Sequence, residues 1–160
     1  MKNLLLVKNK NNWFYRNKKN IINQNDDEHI NELIRINNLK AKNILEIGCS
    51  NGYKLIKYKE LLKSNNCYGV DLSKEAILDG KKRYKNLKLL KLSSLDINKI
   101  KLNFDLIICG FFLYQLDRNL IFQQFDLIYK KLNKNGYLLI RDFDPLFKHT
   151  NTDFNNKKLR

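Results

Sequence analysis

The chain has 160 residues and a mass of 19.1 kDa, a size that suits one domain with a single hydrophobic core. Hydrophobic residues make up 43% of the sequence, and no run approaches the roughly 18 consecutive apolar residues of a membrane span, so a globular, cytoplasmic protein is expected. The apolar stretch at the start is too short for a secretory signal. Lysine and arginine outnumber aspartate and glutamate by 31 to 16, but the net charge of +15 is spread along the chain, which allows a nucleic-acid partner without favouring one.

The cysteines carry no recognisable metal-binding or disulfide pattern. Cys49, Cys67 and Cys109 are odd in number and show no C-x-x-C spacing. Neither a disulfide framework nor a metal site is predicted, and we expect the thiols to be small core residues near strand ends.

The rest of the chain is organised around residues 43–62. The mostly apolar residues 44–47 predict a buried strand, and the sequence Gly-Cys-Ser-Asn-Gly at residues 48–52 predicts a tight turn. The apolar spacing that follows predicts a helix, so the segment forms the first half of a nucleotide-binding βα unit. The G-x-G-x-x-G pattern of dinucleotide sites is absent, and the carboxylate of Glu46 would repel a pyrophosphate but tolerate a ligand with a positive centre.

Residues 46–52 resemble the first motif of the class I S-adenosylmethionine-dependent methyltransferases, in which an acid and an apolar residue precede G-x-G-x-G. Ser50 stands in the place of the middle glycine, and serine is small enough to keep the turn close to a ligand. The alternative is that the glycines belong to an ordinary strand-to-helix turn. The resemblance implies S-adenosylmethionine as the cofactor, with contacts from Glu46, Gly48, Cys49, Ser50 and Gly52.

A second strand is predicted at residues 67–71 and ends in an acid. Asp71 follows Gly48 at close to the roughly 20 residues by which an acid in a βαβ unit meets the ribose hydroxyls. Ser73 is expected to cap the next helix. Residues 69–73 are similar to the second motif of the same family, which implies Asp71 and Leu72 as cofactor contacts.

Two further predicted strands complete the cofactor side. Residues 87–92 form the third strand, and the loop after it corresponds to the loop that holds the adenine in the family. The resemblance therefore implies contacts from Ser94, Leu95 and Asp96, and which of them meets the adenine ring stays open. Residues 104–110 form a buried fourth strand, at the end of which the resemblance implies a contact from Cys109.

The acceptor side is less defined by the sequence. Tyr114 follows the fourth strand, where an aromatic residue is either a substrate contact or part of the core, and the N-P-P-Y type motif of enzymes that methylate base amines is absent. A helix is predicted over residues 117–132, with a glycine stop at 133–136 and a fifth strand at 137–140. A general base is required only if the acceptor is a hydroxyl group, and the sequence offers four candidates for it, none of which is preferred. These candidates are Tyr114, Asp142, Asp144 and His149.

Residues 1–38 are predicted to form a lid or cap segment with one helix, which begins at an Asn25 N-cap. The inner face of this helix is predicted to carry Ile30, Leu33, Ile34 and Ile36. The aromatic cluster at residues 13–17 either closes over the cofactor or packs against the edge of the sheet. In the first case Tyr15 and Arg16 would bind the cofactor carboxylate by charge-assisted hydrogen bonds.

The sequence thus predicts an α/β Rossmann-like domain over residues 39–145. Its sheet is doubly wound and mostly parallel, with strand order 3-2-1-4-5 and helices on both faces. The C-terminal antiparallel hairpin of the family is not recognisable in the polar tail at residues 146–160, which leaves an open sheet edge for a partner chain to cover. The predicted function is transfer of a methyl group from S-adenosylmethionine to a small-molecule acceptor. The alternatives are methylation of nucleic acid, a cofactor-binding fragment without turnover and, least favoured, a nicotinamide-dependent dehydrogenase.

Overall fold

The computed structural model describes residues 11, 13–19, 21 and 28–143, and its centre is a five-stranded sheet. The order of the strands is β3-β2-β1-β4-β5, and each pairing is parallel. The predicted Rossmann-like fold and strand order are therefore confirmed. The strands are β1 (Asn43–Ile47), β2 (Asn66–Asp71), β3 (Lys88–Lys91), β4 (Phe104–Gly110) and β5 (Leu132–Arg141).

Helices connect successive strands and cover both faces of the sheet. Because each crossover returns the chain to the same edge, the carboxyl ends of the strands meet along one side. Residues 13–19 are also helical. The α-helices are α1 (Glu28–Ile36), α2 (Tyr53–Leu62), α3 (Lys74–Arg83) and α4 (Ile121–Lys131), and short 3-10 helices span Ser94–Lys99, Leu113–Gln115 and Arg118–Leu120.

The central strand β1 is buried on both faces because its side chains alternate between two hydrophobic clusters. Ile44 belongs to the cluster that contains Leu55 of α2, together with residues of α1 and α3. Leu45 belongs to the cluster on the other face, which contains Phe104 and Ile128 of α4. This burial on both faces explains why the strand is almost continuously apolar. Glu46, which lies on the same face as Ile44, is the exception, because a carboxylate is rarely buried in such a strand without a functional or structural role.

The helix predicted near the N-terminus is present, but its buried face is narrower than predicted. Ile30 and Ile34 are 0% and 3% exposed, whereas Leu33 and Ile36 are 40% and 68% exposed. The prediction that all four point inward is wrong, because the sheet covers only the narrow stripe at i and i+4 spacing. The predicted N-cap, Asn25, lies outside the described residues.

The helix predicted over residues 117–132 is split in two. Asp117 accepts a hydrogen bond from the Asn119 amide at 3.0 Å and starts a 3-10 turn, so α4 begins only at Ile121. Gln124 and Ile128 are its most buried residues, at 0% and 1% exposed. An aspartate that caps its own turn competes with a continuous helix, which is why the single long helix was wrong.

The fifth strand begins earlier than predicted. Leu132 already pairs with Phe104, and the register shifts before Tyr137 pairs with Leu106. Asn135 takes a φ of 65° in this irregular stretch. The predicted glycine stop at 133–136 is therefore an irregularity inside β5, because extra residues in one strand of a pair can be absorbed without ending the strand.

A carboxylate ties the amino ends of three strands together at the edge opposite the site. Asp105 accepts hydrogen bonds from the Lys42 and Asn43 amides, both at 2.9 Å, and from Asn133 Nδ2 at 2.7 Å. Burial raises the pKa of Asp105, but these hydrogen bonds more than offset it and hold the pKa below its ordinary value. Asp105 is thus a structural acid with the same kind of backbone contacts as the acid in the site described next.

Candidate functional site

A cleft opens at the carboxyl edge of the sheet, where β1 ends between β2 and β4. The chain winds one way from β1 to β2 and the other way to β4, so this point is the topological switch point of the sheet. Open α/β sheets bind their ligands at this position. The cleft is lined by Trp13, Phe14, Glu46, Gly48, Cys49, Ser50, Tyr53, Lys54, Asp71, Ser73, Gly110, Phe111, Phe112, Tyr114 and Gln115.

The loop after β1, residues 48–52, is held in a conformation that needs small residues. Gly48, Ser50 and Gly52 have φ values of 74°, 52° and 81°. A Cβ on Gly48 would lie 2.8 Å from Cδ2 of Phe112, so no larger residue fits there. Ser50 adopts the left-handed conformation at a cost of about 1 kcal/mol, because its Cβ crowds the following carbonyl. The substitution of glycine by Ser50 thus leaves the shape of the turn intact.

Hydrogen bonds fix the loop against the neighbouring strand and helix. The Gly48 and Cys49 amides donate to the Val70 carbonyl of β2 at 2.9 and 3.1 Å. Asn51, which is 3% exposed, donates from Nδ2 to Asp79 of α3 at 2.8 Å. The loop is therefore a rigid part of the scaffold rather than a mobile connection.

Asp71 presents its carboxylate to the cleft from the end of β2. The Ser50 amide donates to Oδ2 at 2.9 Å, and the Ser73 amide donates to Oδ1 at 2.8 Å. Each carboxylate oxygen has a second lone pair, so both can accept a further hydrogen bond from a ligand. Ser73 also accepts from the Ala76 amide at 3.1 Å, which confirms its predicted role as the cap of α3.

The floor of the cleft is electrically negative. Glu46 is 3% exposed and lines the cleft near Asp71. Burial, and then the negative charges of Asp71 and Glu46, raise the pKa of Cys49 well above its ordinary value. Burial, Glu46 and Asp142 raise the pKa of Cys109 to about 12. A field that keeps thiols protonated also stabilises a bound cation.

The opposite side of the cleft carries aromatic rings and positive charges. Phe111 follows β4 with a φ of 54°, and its amide donates to the Arg141 carbonyl of β5 at 2.6 Å. Lys54 Nζ lies 5.4 Å and Arg141 Cζ 4.8 Å from the centre of the Phe111 ring. The Phe143 ring lies 5.1 Å from Phe111 and 5.0 Å from Tyr114. These separations are typical of cation–π and aromatic contacts.

The helical segment 13–19 covers part of the cleft. Trp13 and Phe14 line it, and Phe14 is only 2% exposed because it packs against Ala76 of α3. The Ser73 hydroxyl donates to Asn11 Oδ1 at 2.9 Å. The segment therefore contacts the same turn that holds Asp71.

A charged cluster links this segment to the loop. Asp79 binds Asn51, forms an ion pair with Arg83 at 2.8 Å and lies 3.7 Å from Lys18 Nζ. Burial raises the pKa of Asp79, but the hydrogen bonds from Asn51 and Arg83 outweigh it and lower the pKa below its ordinary value. A Cβ on Gly80 would collide with the Asn51 carbonyl oxygen, so α3 packs directly against the loop.

The structure brings six of the predicted site residues into the cleft lining. Gly52, Leu72 and Cys109 lie beside these residues but do not line the cleft. The six are Glu46, Gly48, Cys49, Ser50, Asp71 and Tyr114.

The loop predicted to hold adenine forms a 3-10 helix, Ser94–Lys99, outside the cleft lining. The Asp96 carboxylate pairs with Lys99 Nζ at 2.8 Å, and the Leu95 amide donates to Ser93 at 3.3 Å. The Ser94 carbonyl accepts from Gln124 Nε2 at 3.3 Å. Adenine contacts from Ser94, Leu95 and Asp96 stay a prediction.

The remaining predicted residues lie outside the lining. Arg16 is exposed, and the hydroxyl of its neighbour Tyr15 bonds to Glu75 of α3, which together with desolvation raises the pKa of Tyr15. Asp142 accepts hydrogen bonds from the Tyr114 and Phe143 amides at 3.1 and 2.9 Å. Asp144, His149 and the tail at residues 146–160 lie outside the described residues.

Sequence reasoning did not single out several residues of the cleft. Neither Lys54 nor the pair Phe111 and Phe112 was named from the sequence, and of this pair only Phe112 is buried, at 4% exposed. Gly110 was taken as part of the strand, yet a Cβ there would meet nothing within 4 Å. An available signal was the position of Gly110, Phe111 and Phe112 at the carboxyl end of β4, and of Lys54 in the first turn of α2, because both places lie at the edge where such sheets bind ligands.

The fold and the cleft together define a Rossmann-like nucleoside-binding domain of the class I methyltransferase type. The sequence model of a family described as "Methyltransferase domain" matches residues 38–159. The chain therefore belongs to this methyltransferase-domain family, and the predicted resemblance to the class I S-adenosylmethionine-dependent methyltransferases is confirmed.

Similar proteins are longer than this chain. An uncharacterized protein of Rickettsia prowazekii (strain Madrid E) is 34% identical over 107 residues, which cover 64% of this chain and 43% of that protein. PKMT2 from Rickettsia typhi, solved in complex with AdoHcy, is 31% identical with a TM-score of 0.56, over 62% of this chain and 20% of that chain. The chain thus spans less than half the length of these two relatives.

A further solved structure shares the fold at lower identity. SAM-bound CalS10 from Micromonospora echinaspora, an amino pentose methyltransferase, has a TM-score of 0.68 at 16% identity, over 81% of this chain and 56% of that chain. At this identity the likeness shows the fold alone. Within the described part of the chain, no helix is long and apolar enough to cross a membrane.

Proposed function

We propose that this chain binds S-adenosylmethionine in the cleft and transfers its methyl group to a small-molecule acceptor. The observation that carries the proposal is the Asp71 carboxylate, which two backbone amides hold at the end of β2 beside the glycine loop. A carboxylate fixed in this way can accept hydrogen bonds from two neighbouring ribose hydroxyls. Family membership and the solved relatives that contain AdoHcy or SAM support the same cofactor.

The residues of the cleft fit this cofactor chemically. A sulfonium and an ammonium group both carry positive charge, and the cleft floor is negative because of Glu46 and Asp71. The Ser50 hydroxyl is buried and has no hydrogen-bond partner among the described residues, as expected where a ligand supplies it. The space beside Gly110 is open, so the site has room between its two sides.

The roles of the protein residues follow from their positions. Asp71 would hold the ribose, and Glu46 would face the cationic part of the cofactor from below. Trp13 and Phe14 would cover the bound molecule and reduce access of water. When bound, the cofactor supplies an activated methyl group, whose bond to sulfur breaks with its electron pair left on sulfur while an acceptor lone pair forms the new bond.

The main contribution of the chain to the rate would be positioning. Because the methyl group is already activated, holding the acceptor in line with it is worth up to roughly 7 to 11 kcal/mol in favourable cases. The side of the cleft that carries Phe111 and Tyr114 is where the acceptor would approach, since the opposite side is occupied by the loop and Asp71. A cytoplasmic location and a partner chain at the outer edge of β5 stay predictions.

The test uses the single tryptophan of the sequence, Trp13, which lines the cleft. Titration with S-adenosylhomocysteine should change its fluorescence saturably, and calorimetry should give one site per chain. NADH serves as the matched dinucleotide control and should not bind. Failure to bind S-adenosylhomocysteine, or binding of NADH in its place, would overturn the proposal.

A measurement of methyl transfer distinguishes an enzyme from a domain that only binds the cofactor. Transfer of labelled methyl from S-adenosylmethionine to a small acceptor would establish the enzyme. A chain that binds the cofactor yet methylates none of a broad panel of acids, amines and alcohols would support the alternative of a binding domain, consistent with its spanning 43% of a longer relative.

A further inference from the structure

Five residues in mutual contact lie at one side of the cleft, and we call them the acceptor rim. Its aromatic members are Phe111, Tyr114 and Phe143, and its cationic members are Lys54 and Arg141. Lys54, Phe111 and Tyr114 line the cleft, whereas Arg141 and Phe143 contact Phe111 from outside the lining. Phe143 and Tyr114 keep 60% and 45% of their surfaces exposed, although neighbouring Phe112 is buried. The rings of Tyr114 and Phe143 meet edge to face, with 79° between their planes, and so form an apolar corner against which a ligand can pack.

The backbone at the rim is strained at Phe111. Phe111 has a φ of 54°, a conformation that a bulky residue rarely adopts and that costs about 1 kcal/mol or more. In this conformation its ring faces the cleft and meets both cations, while the next residue, Phe112, packs in the core. Such strain is commonly kept where a side chain must face a ligand.

The acceptor rim carries two cations with the Asp142 carboxylate next to them, whereas the floor carries the carboxylates of Glu46 and Asp71. Lys54 and Arg141 bring two positive charges to one ring, and Asp142 beside them uses its carboxylate to hold the Tyr114 and Phe143 amides. Glu46 lies deeper, on the cofactor side. A cation at the rim would meet like charges, whereas an anion would gain charge-assisted hydrogen bonds.

On the basis of the function proposed above, we propose that the acceptor is a planar aromatic molecule that carries a carboxylate. Its ring packs into the corner between Tyr114 and Phe143, face to one ring and at right angles to the other, and its carboxylate lies beside Arg141 and Lys54. This arrangement points the remaining part of the ring past Gly110 toward the cofactor side, because Gly110 lines the open space between the two halves. An ammonium acceptor is disfavoured by the same two cations.

Three probes that differ mainly in charge test this proposal on protein saturated with S-adenosylhomocysteine. They are 4-hydroxybenzoate, its neutral amide 4-hydroxybenzamide and the amine tyramine, each titrated by saturation-transfer NMR on the ring protons. The acid should bind roughly tenfold tighter than the amide, since the pair with Arg141 is charge-assisted, and tyramine should bind most weakly. Equal affinities, or tighter binding of tyramine, would overturn the inference.

Matched variants assign the effect to the rim. Arg141→Gln should weaken the acid roughly tenfold and leave the amide unchanged, whereas Lys134→Gln removes a charge near the other end of β5 and should change neither. Phe143→Leu should weaken all three probes and keep their order, because the exposed ring can be lost without unfolding. A loss of acid preference in Lys134→Gln would mean that net charge, and not the rim, selects the acid.

Binding of S-adenosylhomocysteine, measured separately, distinguishes failure of this inference from failure of the proposed function. If the wild type binds S-adenosylhomocysteine but shows no preference for the acid, the inference fails and the proposed function stands. If S-adenosylhomocysteine does not bind, the proposed function itself fails. A single-stranded oligonucleotide that displaces the acid, with an affinity that falls steeply with salt, would assign the rim to nucleic acid and overturn the inference.

Discussion

The two halves of the cleft are built in different ways. On the cofactor side, the loop at residues 48–52 and Asp71 are held by backbone hydrogen bonds to β2 and α3, with glycines at left-handed positions. On the acceptor side, the side chains of the rim contact one another through ring and cation–π contacts, and the backbone amides of Tyr114 and Phe143 donate to Asp142. The cofactor side can be recognised in the sequence from the fixed spacing between glycine and acid. The acceptor side cannot, because its aromatic residues also occur in any hydrophobic core.

The largest effect is expected at the acid of the cofactor side. Asp71→Asn should lower the affinity for S-adenosylhomocysteine roughly 100-fold, because the charged acceptor for the ribose hydroxyls is lost and an amide group then faces the Ser50 or Ser73 amide. Calorimetry measures the change. Asp126→Asn, which removes an exposed carboxylate of α4 paired with Lys130, is the control and should bind normally. Equal affinity in the two variants would refute the role of Asp71.

The loop should be intolerant of even one added methyl group. Gly48→Ala places a Cβ at a φ of 74° and 2.8 Å from Phe112, which should lower the free energy of unfolding by about 2 to 3 kcal/mol. Urea denaturation at pH 7 measures this loss. An unchanged midpoint would mean that the loop is less rigid than its hydrogen bonds indicate.

Gly110→Ala is the matched change at the boundary with the acceptor side. A Cβ there meets no atom within 4 Å and its φ lies outside the left-handed region, so stability should change by less than about 0.5 kcal/mol. The added methyl group nevertheless projects into the space that the ligands share, and methyl transfer should fall roughly tenfold. If Gly110→Ala lowered both stability and methyl transfer, or changed neither, Gly110 would not border the space that the ligands share.

The smallest effect separates a structural acid from a binding acid. Asp105→Asn should lower stability by about 1 to 2 kcal/mol at pH 7 and leave the affinity for S-adenosylhomocysteine unchanged. Because the pKa of Asp105 is lowered in the folded state, its contribution is fully present above its ordinary value of 3.8 and is lost as the pH falls through the lower folded value. The difference between the urea midpoints of the two proteins should therefore be smaller at pH 3 than at pH 7. A constant difference would show that the carboxylate charge is not involved.

The same contrast explains what the sequence could predict. The strands follow from apolar runs and the acid after β2 from the distance between Gly48 and Asp71, whereas the strand order is what the family resemblance implies. Phe111 and Phe112 could not be told apart, because the left-handed turn at Phe111 decides which ring enters the cleft. Asp96 pairs with Lys99 one turn later, and its predicted contact with adenine stays a prediction.

The central claim is that the carboxylates of Asp71 and Glu46 hold a sulfonium nucleoside at the carboxyl edge of the sheet. A crystal structure of the chain soaked with S-adenosylhomocysteine tests it most directly. We predict both ribose hydroxyls within roughly 2.6 to 3.2 Å of the Asp71 carboxylate, and the amino-acid end of the ligand on the Glu46 side. A cleft that stays empty under saturating ligand, or a nucleoside bound away from Asp71, would contradict the account.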